Sequence, residues 1–242
     1  MRIPRTIIAA ILTGFALAGC ATMPADGPQD LNDPLEGWNR LMFNVTLAVD
    51  KGVYRPTAIV YRRTLPQPVR NSFRNFLNNL NSPVIFANDM LQGEADRARI
   101  TFMRASINTT FGVGGLFDIA TRYGLQRHDE DLGQTLGAYG VGEGPYIFIP
   151  LLGPGNPRDI LGRLTDIFFD PLSYVQWGDE NYLPYVRFGV DYIDIRERNI
   201  ETLDEVEATS LDYYASVRSL YRQTRVNEIN NGASAVQDLP DF

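Results

Sequence analysis

The stretch Asp33-Pro34-Leu35-Glu36-Gly37-Trp38-Asn39-Arg40-Leu41-Met42-Phe43-Asn44-Val45-Thr46-Leu47-Ala48-Val49 carries the signals of a helix start and of a helix body. Asp33 suits the N-cap, Pro34 the first helical position, and Glu36 completes a capping box. Leu35, Trp38, Met42, Val45 and Val49 then recur at helical spacing. Arg55-Pro56 interrupts the pattern, because proline lacks a backbone donor and crowds the turn before it.

Downstream the helical period continues in pieces bounded by proline. Val69, Phe73, Phe76, Leu77 and Leu80 share one face of a helix after Pro68; Ser82-Pro83 opens another, which Gln92-Gly93 closes. Residues 94–110 form a third helix, apolar at Ile100, Met103 and Ile107. Asn156-Pro157, with Asp159 following, starts a further helix that stops at Asp170-Pro171. Tyr146-Ile147-Phe148-Ile149 is a strand-like run ended by Pro150. From Pro184 to about Asn230 the pattern is long, helical and charged. Leu203, Val206, Leu211, Tyr214, Val217, Leu220 and Tyr221 are expected on its buried side. Asp194, Arg196, Glu197, Arg198, Glu201, Asp204 and Glu205 are expected on its solvated side. The expected fold is mainly α: one multi-helix body with a glycine-rich central segment and long C-terminal helices.

That central segment, residues 111–157, holds Gly112, Gly114, Gly115, Gly133, Gly137, Gly140, Gly142, Gly144, Gly153 and Gly155. A loop-rich stretch of this length inside a compact body is often functional. Its glycine clusters superficially suggest phosphate loops, but neither follows a credible strand nor carries Gly-Lys-Ser/Thr, so a nucleotide site is not expected.

Arg2 and Arg5, the uncharged residues 7–17 and Leu17-Ala18-Gly19 make the three parts of a secretory signal, too short for a lasting membrane span. The small residues run into Cys20, which resembles the Leu-Ala-Gly-Cys lipobox of bacterial lipoproteins. On that resemblance Cys20 is the lipid anchor, carrying more than one acyl chain. Ala21 rather than Asp then points to the outer membrane. Cys20 is also the sole cysteine, which excludes an internal disulfide. The expected organisation is a signal peptide at 1–19, a lipidated tether at 20–31, a helical domain at 32–230 and a disordered tail at 231–242.

Without Arg2 and Arg5 the net charge moves from −7 to −9, so no nucleic-acid footprint is expected. Lys51 is the only lysine among 22 basic residues. Arginine forks suit carboxylates and phosphates, and surface pairing with the many acids is the simplest use for most of them. His128 is the only histidine, beside Asp129, Glu130 and Asp131. With no G-x-S-x-G elbow and no spare cysteine, the residues offer no catalytic set and no metal set, and no cofactor is expected. Three apolar segments exceed what a soluble helical domain needs: 83–91, 146–152 and 168–177, the last with Phe168, Phe169, Tyr174 and Trp177. Burial in protein and burial in lipid look alike in sequence, and both readings stand for these residues.

An ordered set of short motifs is similar to the MlaA/VacJ lipoproteins. It starts at Asp33-Pro34-Leu35-Glu36-Gly37-Trp38-Asn39-Arg40, with Trp38 standing where an aromatic, often Phe, is usual. Tyr54-Arg55-Pro56, Leu65-Pro66-Gln67-Pro68-Val69-Arg70 and Asn75-Phe76-Leu77-Asn78-Asn79-Leu80 follow. Next come Asn88, Leu91-Gln92-Gly93, Asn108-Thr109, Gly112-Val113-Gly114-Gly115 and Asp118. The longest match is Asp131-Leu132-Gly133-Gln134-Thr135-Leu136-Gly137, continued by Tyr139-Gly140-Val141-Gly142, Gly144-Pro145-Tyr146 and Leu152-Gly153-Pro154; Arg158-Asp159 and Asp170-Pro171 close the series.

The resemblance implies a ring-like helical body embedded in the inner leaflet of the Gram-negative outer membrane, facing the periplasm. It implies a non-enzymatic lipoprotein of an intermembrane phospholipid transport system. Such a protein removes mislocalised glycerophospholipids from the outer leaflet and passes them to a periplasmic lipid carrier of the MlaC type. A trimeric outer-membrane porin is the implied membrane partner. Within this reading Gly112, Gly114, Gly115, Gly140, Gly142 and Gly144 are the expected channel or gate, since glycine lets tails pass close to the main chain. Arg122 and Arg127 are the expected phosphate-binding cations. The rivals are a porin-scaffolding lipoprotein that moves no lipid, and a lipid hydrolase.

Overall fold

A computed structural model describes residues 33–175 and 182–232. The signal peptide, Cys20 and its tether, Trp177 and the tail from 233 lie outside the described residues.

Helix α1 (Glu36–Val49) starts without a side-chain cap. Asp33 is not its N-cap. The carboxylate is only 2 % exposed and serves a tertiary role instead. It accepts from Asn39 Nδ2 at 2.7 Å, from Arg218 Nη1 at 2.8 Å and from the Tyr214 hydroxyl. A buried carboxylate needs such donors, and three partners satisfy it better than one helix end would. Arg55-Pro56 does not break the chain's path either. A π turn (Asp50–Tyr54) leads directly into α2 (Arg55–Thr64), with Pro56 in the first helical turn, where its missing N–H costs little.

The two expected helices around Pro83 are one 26-residue helix, α3 (Gln67–Gln92). Proline removes one intrahelical bond there, and packing of α3 against three other helices outweighs that loss. Gly93, at φ 77°, ends α3 as its position predicts. Helix α4 (Ala95–Thr110) runs back along α3. After a 3₁₀ turn (Ala120–Tyr123) come α5 (Leu132–Ala138), strand β1 (Ile147–Ile149), strand β2 (Gly153–Gly155) and α6 (Pro157–Asp166). The strands pair antiparallel, Phe148 opposite Pro154. Asn156 caps α6, accepting from the Asp159 amide at 2.8 Å, as its sequence predicts. The chain finishes with α7 (Leu183–Arg198), α8 (Ile200–Thr209) and α9 (Tyr213–Ile229).

Helices α5 and α6 meet at two glycines. A Cβ on Gly162 would stand 2.3 Å from the Gly133 amide nitrogen, so this crossing exists only because Gly162 has no side chain.

The main apolar cluster is small: Phe43, Tyr146, Phe148 and Tyr214, joined edge to face with Phe43–Phe148 centroids 5.4 Å apart. The largest fully buried side chains are instead polar: Asn39, Asn88, Asn156, Asp89 and Asp159. Trp38, Phe73, Phe76, Phe102, Phe111 and Phe168 point outward. The three ambiguous segments divide accordingly. Val84, Ile85, Tyr146 and Phe148 are core, whereas Met90, Leu91, Leu152, Phe168, Phe169 and Tyr174 are exposed.

The C-terminal expectation is partly inverted. Asp194, Arg196 and Glu197, expected in solvent, are buried, while Leu211 and Leu220, expected inside, are exposed. Burial of the three charges follows from their partners, which lie across the helix interface on the N-terminal half of the chain. Tyr214 is buried as expected, and Val217 and Tyr221 pack on its cluster.

Candidate functional site

Three groups of paired charges lie in the interior besides the Asp33–Arg218 and Arg104–Asp118 pairs. On α7, Glu197 accepts from Arg62 Nε at 2.8 Å and from Arg70, Asp194 from Arg74 at 2.9 and 3.0 Å, and Arg196 Nε donates to Asp50 at 2.7 Å. On α9, Arg225 donates to Asp131 through both Nη atoms at 2.8 and 3.0 Å and to Asp159 through Nε at 2.8 Å. Burial alone would raise both carboxyls, but Arg225 outweighs it and holds them below the ordinary value. The third group joins α3 to the 128–135 segment. Asp89 accepts from Thr101 Oγ1 at 2.7 Å and lies 3.0 Å from His128 Nε2. Glu130 accepts from Gln92 at 2.7 Å and from Arg97, yet burial keeps its carboxyl raised.

His128 therefore has a structural setting. The same nitrogen, Nε2, faces both Asp89 and Thr101 (3.2 Å). A nucleophile–base–acid relay needs the two partners on opposite ring nitrogens.

Two cavities adjoin at the α3–α4 pair. A polar recess of about 30 Å³ is lined by Asn75, Asn78, Asn79, Arg104, Asn108 and Arg127, among others. A larger cavity of about 520 Å³ is lined mainly by apolar groups, including Leu80, Pro83, Phe86, Phe102 and Ala105. Asn79, Ser82 and Thr101 belong to both walls.

The expected site residues are dispersed over this frame. Arg127 lines the polar recess and pairs with Asp129. Arg122 sits exposed in the 3₁₀ turn and borders neither cavity. Gly112, Gly114 and Gly115 follow α4, and Gly114 borders the apolar cavity. At Gly115 (φ 95°) the chain passes so close to Asn79 that a Cβ would stand 2.6 Å from its side chain. Beside them Val113 is held at φ 55°, a strained conformation for a β-branched residue. Gly140, Gly142 and Gly144 follow α5 and border neither cavity.

Arg104 is the residue that sequence reasoning missed. It is buried in the recess wall and donates to Asp118 at 3.0 Å, to Thr121 at 2.9 Å and to the Leu125 carbonyl. The available signal was the stripe Ala98, Thr101, Arg104 and Asn108, spaced for one helix face and all buried.

These features define a helical protein of inverted polarity, with buried charge inside and large apolar side chains outside. The chain belongs to the MlaA lipoprotein family, whose model matches residues 31–228. It is 36 % identical over 229 residues to the intermembrane phospholipid transport system lipoprotein MlaA of Escherichia coli K12, covering 93 % of this chain and 89 % of that protein. It is 33 % identical over 244 residues to the protein of the same name from Haemophilus influenzae, covering 98 % and 96 %. A solved structure described as "Structural basis for maintenance of bacterial outer membrane lipid asymmetry" superposes with a TM-score of 0.75 at 35 % identity, over 82 % of this chain and 99 % of that one.

Proposed function

We propose that the chain is the outer-membrane lipoprotein of an intermembrane phospholipid transport system. It removes mislocalised glycerophospholipids from the outer leaflet and passes them to a periplasmic carrier of the MlaC type. Anchored through Cys20, the ring-like body lies in the inner leaflet and faces the periplasm, with a trimeric porin as its membrane partner. It performs no covalent chemistry and uses no cofactor.

The observation that carries this reading is the inverted polarity. Exposed aromatics such as Trp38, Phe102, Phe111 and Phe168 are unfavourable in water and favourable in acyl chains. Among the described residues no helix is long and apolar enough to cross a membrane. Immersion in one leaflet satisfies both facts. A phosphate crossing such a body needs a wet path, since an unpaired buried charge is costly. Residues 111–144 form or gate that path, with Arg127 and then Arg122 as phosphate contacts. The strain at Val113 and the border of Gly114 on the apolar cavity favour the first half of this segment as the moving part.

The test compares surface-exposed phospholipid in cells with and without this protein, porin content being matched. Accumulation in its absence, reversed on restoring it, is the expected result. Unchanged lipid with altered porin trimers would make the protein a scaffold.

A further inference from the structure

We infer that the polar recess between α3 and α4 is a headgroup subsite. It takes a free hydroxymethyl tip, and so selects a glycerophospholipid such as phosphatidylglycerol over one that ends in an ammonium. The site deepens the phospholipid reading above and rests on it.

One face of α3 makes the recess wall: Asn75, Asn78, Asn79 and Ser82 stand at i, i+3, i+4 and i+7. Carboxamides elsewhere in the interior are spent on the fold. Asn39, Asn88 and Asn156 each donate through Nδ2 and accept through Oδ1, as buried polar groups ordinarily do. The recess carboxamides keep capacity in hand. Asn75 donates to the Leu116 carbonyl at 3.3 Å, and its oxygen has no partner among the described residues. Neither end of the Asn78 amide has one. The Ser82 hydroxyl reaches only the Asn78 carbonyl, at 3.5 Å. The Asn79 oxygen is buried and unpaired. The wall therefore offers acceptors on Asn75, Asn78 and Asn79 beside donors on Asn78 and Ser82.

A hydroxyl donates and accepts, and can use both kinds of group. An ammonium only donates, and would set its hydrogens against Asn78 Nδ2. Charge acts in the same direction. Arg104 and Arg127 in the wall each face one carboxylate, Asp118 and Asp129, which leaves neither acid for an incoming cation. Asp89, behind His128, is fully buried and already bonded to Thr101 and His128. An ammonium seated here would lack a carboxylate of its own, which is costly; a hydroxyl carries no such charge.

At about 30 Å³ the recess holds roughly two water-sized groups, as a carbon and its hydroxyl are. Only the tip enters, and the phosphate stays at the mouth. There Arg127, its side chain 36 % exposed, bonds Asp129 through Nη2 alone and keeps its other donors for a phosphodiester. Asn79 and Ser82 also border the apolar groove beside Leu80 and Pro83, so tails leaving the mouth meet apolar side chains.

The experiment equilibrates the purified full-length lipoprotein in detergent with equimolar phosphatidylglycerol, phosphatidylethanolamine and phosphatidylmethanol of identical chains. Native mass spectrometry then reads the bound lipid. Phosphatidylmethanol has the charge of phosphatidylglycerol without its hydroxyls. Phosphatidylglycerol should exceed each of the others by about tenfold. Asn78→Leu should bring phosphatidylglycerol level with phosphatidylmethanol. Asn78→Asp should move binding toward phosphatidylethanolamine, because it supplies the missing carboxylate. Equal binding of phosphatidylglycerol and phosphatidylmethanol to the wild type would overturn the site, leaving water alone in the recess. An excess of phosphatidylethanolamine would overturn it as well. Either result leaves the phospholipid reading standing, whereas binding of none of the three would overturn both. The wild-type comparison decides the matter should a variant fail to fold.

Discussion

Replacing Arg225 by Met tests whether the buried charges hold the helices together. Arg225 is buried on α9 and bonds two carboxylates from other parts of the chain, Asp131 before α5 and Asp159 in α6. Asp159 keeps Arg158, Asn156 and Tyr221 after the change. Asp131 keeps only the Gln134 amide at 2.8 Å and a long contact to its side chain at 3.4 Å. Asp131, its side chain 30 % exposed, is thus left short of partners, and the cost of breaking a fully buried pair from one side, about 3–5 kcal/mol, is the upper limit. For a domain of this size each kcal/mol moves the midpoint by roughly 2–4 °C, so Arg225→Met should melt lower at neutral pH by up to roughly 20 °C.

Thermal unfolding in detergent, followed by far-UV circular dichroism, measures it. Adding Asp131→Asn should recover much of the loss, because the stranded charge is gone. Acid provides a second readout. Carboxyls held below their ordinary value of 3.8 stabilise the fold above that pH, and the contribution disappears as pH falls through the lower folded value. Wild type should therefore lose stability below pH 3.8, and Arg225→Met should lose less there. A neutral-pH shift under ~2 °C would refute the reasoning and mean that water screens the network.

Gly162→Ala should destabilise by about 1–3 kcal/mol or more, because its Cβ meets backbone rather than a movable side chain; chemical denaturation reads this directly. Gly142→Val meets open space and should fold like wild type, so lost lipid clearance in that variant would report on gating, and wild-type clearance would exclude Gly142 from the gate. Val113→Gly should relieve strain and raise stability by about 1 kcal/mol, measured in the same denaturant series. Cys20→Ser should abolish incorporation of labelled fatty acid; label retained by the variant would refute the anchor.

The helices were legible where the signal is local. Asn156 does cap α6, Gly93 does end α3, and Tyr146-Ile147-Phe148-Ile149 does contain a strand. The failures were cases in which a distant partner decided the outcome. Asp33 had the sequence of a cap, but Asn39, Tyr214 and Arg218 claimed it. Pro83 had the sequence of a helix start, but contacts along α3 carried the helix through it. The near absence of lysine was visible in the composition. Surface pairing was the simplest reading for most of the arginines, and it left open which ones are buried: Arg70, Arg104, Arg158, Arg196 and Arg225. Arginine's planar fork is suited to that role, because it pairs bidentately and is more weakly hydrated than an ammonium.

Period reveals a helix but not which face turns inward. On α3 the apolar stripe containing Phe73 and Phe76 was correctly placed on one face, and that face points out while Arg70, Asn88 and Asp89 point in. The same helix shows why length does not make a span. Twenty-six residues reach about 39 Å, more than the ~30 Å hydrocarbon core of a bilayer. Yet its buried side includes Arg70, Asn88 and Asp89, which need paired partners, and those partners lie on α4, α5, α6 and α7 and at His128. Alone in lipid, α3 would leave Arg70 and Asp89 unsatisfied at heavy cost. Assembled, each is paired before any apolar face meets a membrane. The polar network is therefore a condition for the outward apolar surface, and variants that weaken it, Arg225→Met first among them, should impair membrane seating and not stability alone.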